Sequence, residues 1–166
     1  MIKVVNKNIV NMDVDAIVNA ANSSLMGGGG VDGAIHAAAG RRLDEECAKI
    51  GHCNTGDAVI TSGCNLKAKY IIHTVGPIYG QYDKNTNEKL LASCYRKSLD
   101  EAKLHNLSSI GFPCISCGVY GFPLIDACKI AIKTVKDWLE VNNYEIDVFF
   151  VCFTEKEYQT YIENLK

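Results

Sequence analysis

Apolar positions along the chain fall into short β-branched runs separated by longer stretches of helical spacing. Asp15–Ala20 (DAIVNA) is too short for a helix and ends at an Asn-rich turn, which predicts a buried strand. Val31–Ile50 predicts one helix, because Val31, Ile35, Ala38, Ala39, Leu43 and Cys47 recur at helical spacing. Ala58–Ser62 and Tyr70–Val75 predict two further strands, the second β-branched and stopped by Gly76-Pro77. A helix is expected from about Thr86 to His105, with Leu90, Leu91, Cys94, Tyr95, Ser98, Leu99 and Ala102 on one face. Ser109–Cys114 is strand-like, and Leu124–Val141 is helical with an inner stripe of Cys128, Ala131, Ile132, Val135, Trp138 and Leu139. Ile146–Phe153, an almost unbroken apolar run, predicts a strand covered on both faces, and Glu155–Leu165 predicts a closing helix. Strands alternating with helices imply an α/β fold, a three-layer α/β/α sandwich whose ligands bind outside the carboxyl ends of the strands.

Composition narrows the partners. The chain has 166 residues, 17 Lys+Arg against 19 Asp+Glu, 48% hydrophobic and 22% charged residues. That length suits a single domain over residues 1–166, which buries roughly 70% of its unfolded surface. A net charge of −2 provides no cation excess to neutralise a phosphate lattice, so nonspecific nucleic-acid binding is not expected. One nucleotide is still admissible, since backbone N–H groups bind phosphate unaided. The start, MIKVVNKNIV, lacks the apolar centre of an export signal, and no run approaches the ~18 residues of a membrane span. The expectation is a cytoplasmic protein, away from membranes, whose eight cysteines are reduced thiols.

Two loops carry the chemistry. In the first, the strand ending at Ala20 runs through Ala21-Asn22-Ser23-Ser24-Leu25-Met26 into Gly27-Gly28-Gly29-Gly30 and then a helix near Val31. Glycines allow close backbone approach to a ligand, and a helix start offers unpaired N–H groups and partial positive charge. The alternative is a flexible linker, which direct attachment to a strand and a helix makes the weaker reading. The second loop, Ile115-Ser116-Cys117-Gly118-Val119-Tyr120-Gly121-Phe122-Pro123, repeats the arrangement after strand Ser109–Cys114. Together they could grip both phosphates of a pyrophosphate with main-chain donors. Tyr120 and Phe122 are placed to cover a sugar, or to clasp the loop onto the core. Phe153, at the end of the buried strand, could stack on a base, although its pattern alone reads as core. Asp32 lies in the first helical turn, where acids commonly complement the helix dipole, with His36 one turn on along the same edge.

Other chemistries fit less well. Gly28-x-Gly30-x-x-Gly33 meets the dinucleotide spacing, but the acid expected about 20 residues later falls inside a helix. Cys114-Ile-Ser-Cys117 straddles a strand end rather than a helix start, against a redox dithiol, and Cys47, His52 and Cys53 match no common zinc spacing. No serine-hydrolase elbow or zincin motif occurs. A nicotinamide-dependent oxidoreductase would want a second domain that this length hardly allows.

The stretch Asp15-Ala-Ile-Val-Asn-Ala-Ala-Asn22-Ser-Ser-Leu-Met-Gly-Gly-Gly-Gly-Val-Asp32-Gly-Ala-Ile-His36 strongly resembles macrodomains of the MacroD-type branch, as do Tyr70–Pro77 and Phe112–Pro123. The resemblance extends from about Ile9 to Phe153. It implies a three-layer fold with a mixed, mostly parallel sheet and a cleft for ADP-ribose. It further implies hydrolysis of ADP-ribose from acidic side chains of proteins and deacetylation of O-acetyl-ADP-ribose; a monomer with no cofactor or metal is expected. By that resemblance the catalytic group is Asn22, which meets the distal ribose, Asp32, which orients or activates water, and the nearby His36. The diphosphate would lie between Gly27, Gly28, Gly29, Gly30 and Val31 on one side and Ser116, Cys117, Gly118, Val119, Tyr120 and Gly121 on the other. Tyr120 would cover the distal ribose and Phe153 would stack on adenine, with Asn8, Ile9, Ala20 and Ala21 completing the contacts.

The chain departs from that pattern at three places. Lys7-Asn8-Ile9 stands where Gly-Asp-Ile is usual, so an uncharged Asn8 carbonyl would accept the adenine amino group in place of an acid. Cys117 replaces a common Thr in a loop that works through its backbone, and Ala37 replaces a frequent Arg. The leading expectation is a hydrolase in which Asp32 places a water against the reacting carbon. A carboxylate is a weak base, so positioning water with help from a substrate phosphate accounts for the chemistry as well as full proton abstraction does. The alternative is a module that reads ADP-ribose without cleaving it.

Overall fold

The computed structural model describes residues 1–166. Its elements in chain order are β1 (Ile2–Asn6), a 3-10 turn (Ile9–Asn11), β2 (Ala16–Ala20), α1 (Gly30–Ala39), α2 (Arg41–Ile50), β3 (Ala58–Ser62), β4 (Tyr70–Thr74), α3 (Lys84–Leu104), β5 (Ser109–Phe112), α4 (Leu124–Asn142), β6 (Asp147–Cys152) and α5 (Glu155–Leu165). The strands form one sheet in the order β1-β6-β5-β2-β4-β3, parallel throughout except for β3, which runs antiparallel to β4. No helix is long and apolar enough to cross a membrane.

The two faces of the sheet follow from the period-two alternation of strand side chains. Ala16, Val18, Ile72, Ile110, Phe112, Val148 and Phe150 point to one face, where α3, α4 and α5 bury Leu91, Tyr95, Ala131, Val135 and Tyr161 against them. Ile17, Ile71 and Val151 point to the other, packed by Ile35 and Ala39 of α1 and Leu43 and Cys47 of α2. The three-layer sandwich with a mixed, mostly parallel sheet is the architecture expected from the pattern.

Four features differ from expectation. The predicted helix over 31–50 is two helices, broken at Gly40, whose φ of +92° lies in the region that favours glycine. Ile35, Ala39, Leu43 and Cys47 nevertheless face the same core, so their spacing runs across the break unaltered. Strand β1, unpredicted, sits at the sheet edge with β6 as its partner, which explains its half-polar character. The strands expected to reach Val75, Cys114 and Phe153 end earlier, at Thr74, Phe112 and Cys152. Finally, Cys114 and Cys117 are joined as a disulfide, which corrects the expectation of eight reduced thiols. Their Cα atoms stand 5.7 Å apart in one tight loop, a separation that permits the bridge.

Candidate active site

Strands β2 and β5 are parallel neighbours, so both release their loops at the same end of the sheet. The chain leaving β2 enters α1 on one face, and the chain leaving β5 enters α4 on the other. Divergence of two such loops opens a crevice at the strand ends. A cavity of about 290 Å³ occupies that place, lined by Ala20, Ala21, Asn22, Gly28, Gly29, Gly30, Val31, Asp32, Gly76, Cys114, Ile115, Ser116, Gly118, Val119 and Tyr120. The two predicted loops therefore form facing walls of one hollow. Neither α1 nor α4 has a side-chain cap at its start, Gly29 and Pro123 occupying those positions. The first-turn amides of a helix lack intrahelical acceptors, and at α1 they lie on the cavity wall. Gly30 makes the approach with a φ of +57°.

Each wall is stitched internally. Asn22 Nδ2 donates to the Gly27 carbonyl at 2.9 Å, while its Oδ1 accepts from Ser24 Oγ at 2.7 Å and Leu25 N–H at 3.1 Å. In the second loop Phe122 N–H donates to the Ser116 carbonyl and Gly121 N–H to that of Gly118, both at 2.9 Å. Tyr79 N–H donates to the Tyr120 carbonyl at 2.8 Å. Phe122 is buried and meets Tyr79 edge-on at 5.0 Å, so of its two readings it is the clasp. Tyr120 lines the cavity, and burial together with the Asp32 carboxylate pushes its phenol pKa up.

Asp32 is 6% exposed and held from behind. Its Oδ1 accepts from Asn19 Nδ2 at 2.9 Å. His36 Nε2 stands 3.3 Å from the same oxygen, close but without a hydrogen bond, while His36 Nδ1 donates to Asp44 Oδ1 at 2.7 Å. The other carboxylate oxygen is turned toward the glycine wall. A Cβ placed on Gly28 would lie 3.3 Å from Asp32 Oδ2 and 3.5 Å from Asn22 Nδ2, so these three groups converge on one corner of the cavity.

Behind Asn19 a polar chain crosses the buried sheet. Asn19 Nδ2 also meets His73 Nδ1 at 3.1 Å, and His73 Nε2 meets Thr61 Oγ1 at 2.9 Å. An amide N–H can only donate, so His73 Nδ1 accepts and its proton resides on Nε2, directed at Thr61. Burial, reinforced by His36, drives the His73 pKa from the ordinary 6.5 down to about 3. Because the folded value lies below the unfolded one, the stability this neutral ring contributes is complete above pH 6.5. It is lost as pH falls toward 3, at about 1.4 kcal/mol per pH unit. Urea unfolding should therefore show a stability loss of about 2 kcal/mol between pH 6.5 and 5. An unchanged midpoint over that interval rejects the assignment.

Of the residues expected to touch ligand, several lie outside the cavity itself. Gly27, Cys117 and Gly121 belong to its loops without lining it, and His36 stands behind Asp32. Asn8, Ile9 and Phe153 lie further along the same strand-end rim, where β1 and β6 pair Asn6 with Cys152 and Lys7 N–H donates to the Cys152 carbonyl. Asn8 Oδ1 caps the 3-10 turn by accepting from Val10 N–H at 3.2 Å, and Ile9 is buried. Phe153 is 74% exposed, which corrects the core reading of its pattern and leaves a free ring on the rim. Ala37 is exposed on α1. Gly76, Cys114 and Ile115 line the cavity without having been singled out as contacts, and Asn19 and His73 carry no pattern beyond that of a strand. No group of three or more His, Cys, Asp or Glu side chains is arranged to hold a metal ion.

An α/β/α sandwich with two amide-rich loops enclosing a crevice beside a buried acid defines a class of nucleotide-diphosphate-binding domain. The Macro domain family model matches residues 18–131, and the chain belongs to that family. It is 49% identical over 158 residues to human ADP-ribose glycohydrolase MACROD2, covering 95% of this chain but only 37% of that protein. The fold superposes on the Oceanobacillus iheyensis macrodomain with ADP at a TM-score of 0.94 and 46% identity, covering 98% of this chain and 88% of that one. It also superposes on the Trypanosoma brucei macrodomain in complex with ADP-ribose, with a TM-score of 0.92, 42% identity and coverage of 99% and 69%.

Proposed function

We propose that this protein is a hydrolase of ADP-ribose conjugates, releasing mono-ADP-ribose from acidic side chains of proteins and acetate from O-acetyl-ADP-ribose. The observation that carries the reading is the corner where Asp32 Oδ2, Asn22 Nδ2 and the Gly28 backbone converge, beside a crevice walled by loop amides. Binding the diphosphate along those amides presents the distal ribose to that corner. With Oδ1 tied to Asn19, the Oδ2 edge of Asp32 is left to accept from a water directed at the reacting carbon. His36, anchored by Asp44, closes the rear of the carboxylate. The Asn22 amide, already spanning its loop, keeps the glycine wall in register with the sugar. Tyr120 borders the same pocket, and the exposed Phe153 ring offers a face for adenine, next to Asn8 and Ile9.

Human MACROD2 is named an ADP-ribose glycohydrolase, and the T. brucei macrodomain is a complex with ADP-ribose, both in keeping with this reading. The test is time-resolved release from a glutamate-ADP-ribosylated protein. Many molecules of ADP-ribose freed per molecule of protein are expected. Stoichiometric capture with the modification intact would make the domain a reader instead.

A further inference from the structure

We propose that Cys114 and Cys117 form a redox-modification site built into the diphosphate-binding loop, the bridged form holding that loop ready for ligand and the dithiol form gripping it less well. The inference rests on the ligand reading above.

Three observations carry it. The bridge is inside the site: Cys114, Ile115 and Ser116 all line the cavity, and Cys117 immediately precedes the exposed Gly118-Val119 tip. The segment it closes, Ile115 and Ser116, is buried against Gly76 but carries few hydrogen bonds of its own. Hydrogen bonds organise the later half of the loop, Phe122 N–H donating to the Ser116 carbonyl and Tyr79 N–H to that of Tyr120, whereas Ser116 adopts a φ of +66° and its buried hydroxyl has no hydrogen-bond partner. A non-glycine residue in that region is uncommon, and a short covalent ring through its neighbours removes the competing conformations.

The third observation is selectivity among the eight cysteines. Cys47, Cys53, Cys94, Cys128 and Cys152 are buried free thiols whose pKa values burial pushes up to about 11 or 12. Cys64 is also shifted up by burial. Thiols held protonated are poor nucleophiles, so disulfide exchange is concentrated on the one bridged, half-buried pair. In a reducing compartment a bridge of this kind is transient and suits sensing better than stabilisation.

The exchange balances with a small-molecule or protein dithiol as co-reactant. One thiolate of the reductant attacks a bridge sulfur and the S–S bond breaks, giving a mixed disulfide. The reductant's second thiol resolves it, leaving Cys114 and Cys117 as thiols and the reductant as a disulfide, with two electrons and two protons transferred.

The experiment pairs a thiol count with an affinity. Protein equilibrated with oxidised or with reduced dithiothreitol is acid-quenched, unfolded and alkylated, and ADP-ribose affinity is measured calorimetrically in each state. Six alkylated thiols are expected after oxidation and eight after reduction, given the single bridge. Affinity should be about three- to tenfold weaker in the reduced protein, the cost of ordering a residue or less of freed backbone. Cys114→Ser and Cys117→Ser should each abolish the redox dependence. Eight alkylated thiols in both states, or equal affinity in both, overturns the switch while leaving ADP-ribose as the ligand. Failure of ADP-ribose to bind in either state removes the ligand assignment as well.

Discussion

Asp32→Ala should slow ADP-ribose release by about a hundred- to a thousandfold while changing ADP-ribose affinity only a few-fold, because general acid–base groups typically contribute that much to rate. The split between rate and binding is the informative part. The loop amides that meet the diphosphate belong to the backbone and survive the substitution, whereas the oxygen facing the glycine corner disappears. Removal also strips Asn19 Nδ2 of one of its two acceptors in a buried setting, which costs about 1–3 kcal/mol of stability. Asp32→Asn therefore serves as a companion, since its carbonyl can still accept from Asn19 while its amide is no base. Both variants should be folded by circular dichroism and nearly inactive in single-turnover release. Wild-type rates from either folded variant would remove Asp32 from the reaction.

Gly33→Ala is expected to be nearly as damaging without removing any polar group. A Cβ at that position would stand 2.4 Å from the Gly28 carbonyl oxygen and 3.4 Å from its carbon. The obstacle is backbone, so no side chain can swing aside and the glycine wall must move by several tenths of an ångström or more. Gly28 shares its corner with Asp32 and Asn22, and a displacement approaching 1 Å at a reacting centre can cost about a hundredfold in rate. Turnover should drop by roughly that factor. Calorimetry should show weakened ADP-ribose binding as well, which distinguishes this variant from Asp32→Ala. Unaltered binding and turnover would mean that the wall tolerates the shift and that its close approach to α1 is incidental.

Much of the frame was readable from spacing alone. The closing helix Glu155–Leu165 and strand Ala58–Ser62 coincide with their predicted bounds, since a clear amphipathic stripe and a short run bordered by glycine and serine leave few alternatives. The Gly40 break escaped because Ile35, Ala39, Leu43 and Cys47 keep one face across it, and periodicity reports the face rather than the axis. Strand β1 escaped because an edge strand with a single neighbour needs no continuous apolar run. At the site, the two glycine loops were visible as strand–loop–helix junctions, and Asp32 with His36 as neighbours one helical turn apart. Gly76 was not, because a cavity wall is assembled by tertiary packing from residues with no local signature, while Cys114 and Ile115 fell within the second junction without being assigned as contacts. Asn19 and His73 look like ordinary strand positions, and only the pairing of Asn19 with His73 across β2 and β4 turns them into a buried polar chain. The Cys114–Cys117 spacing was visible, but spacing cannot report oxidation state.

The two walls of the crevice come from widely separated parts of the chain, one before Val31-Asp32 and the other after Cys114. An occupant held by both therefore acts as a staple between regions that are joined through the sheet. Neither loop can fray outward while the guest stays, so their opening motions become coupled and the two loops share one protection against unravelling.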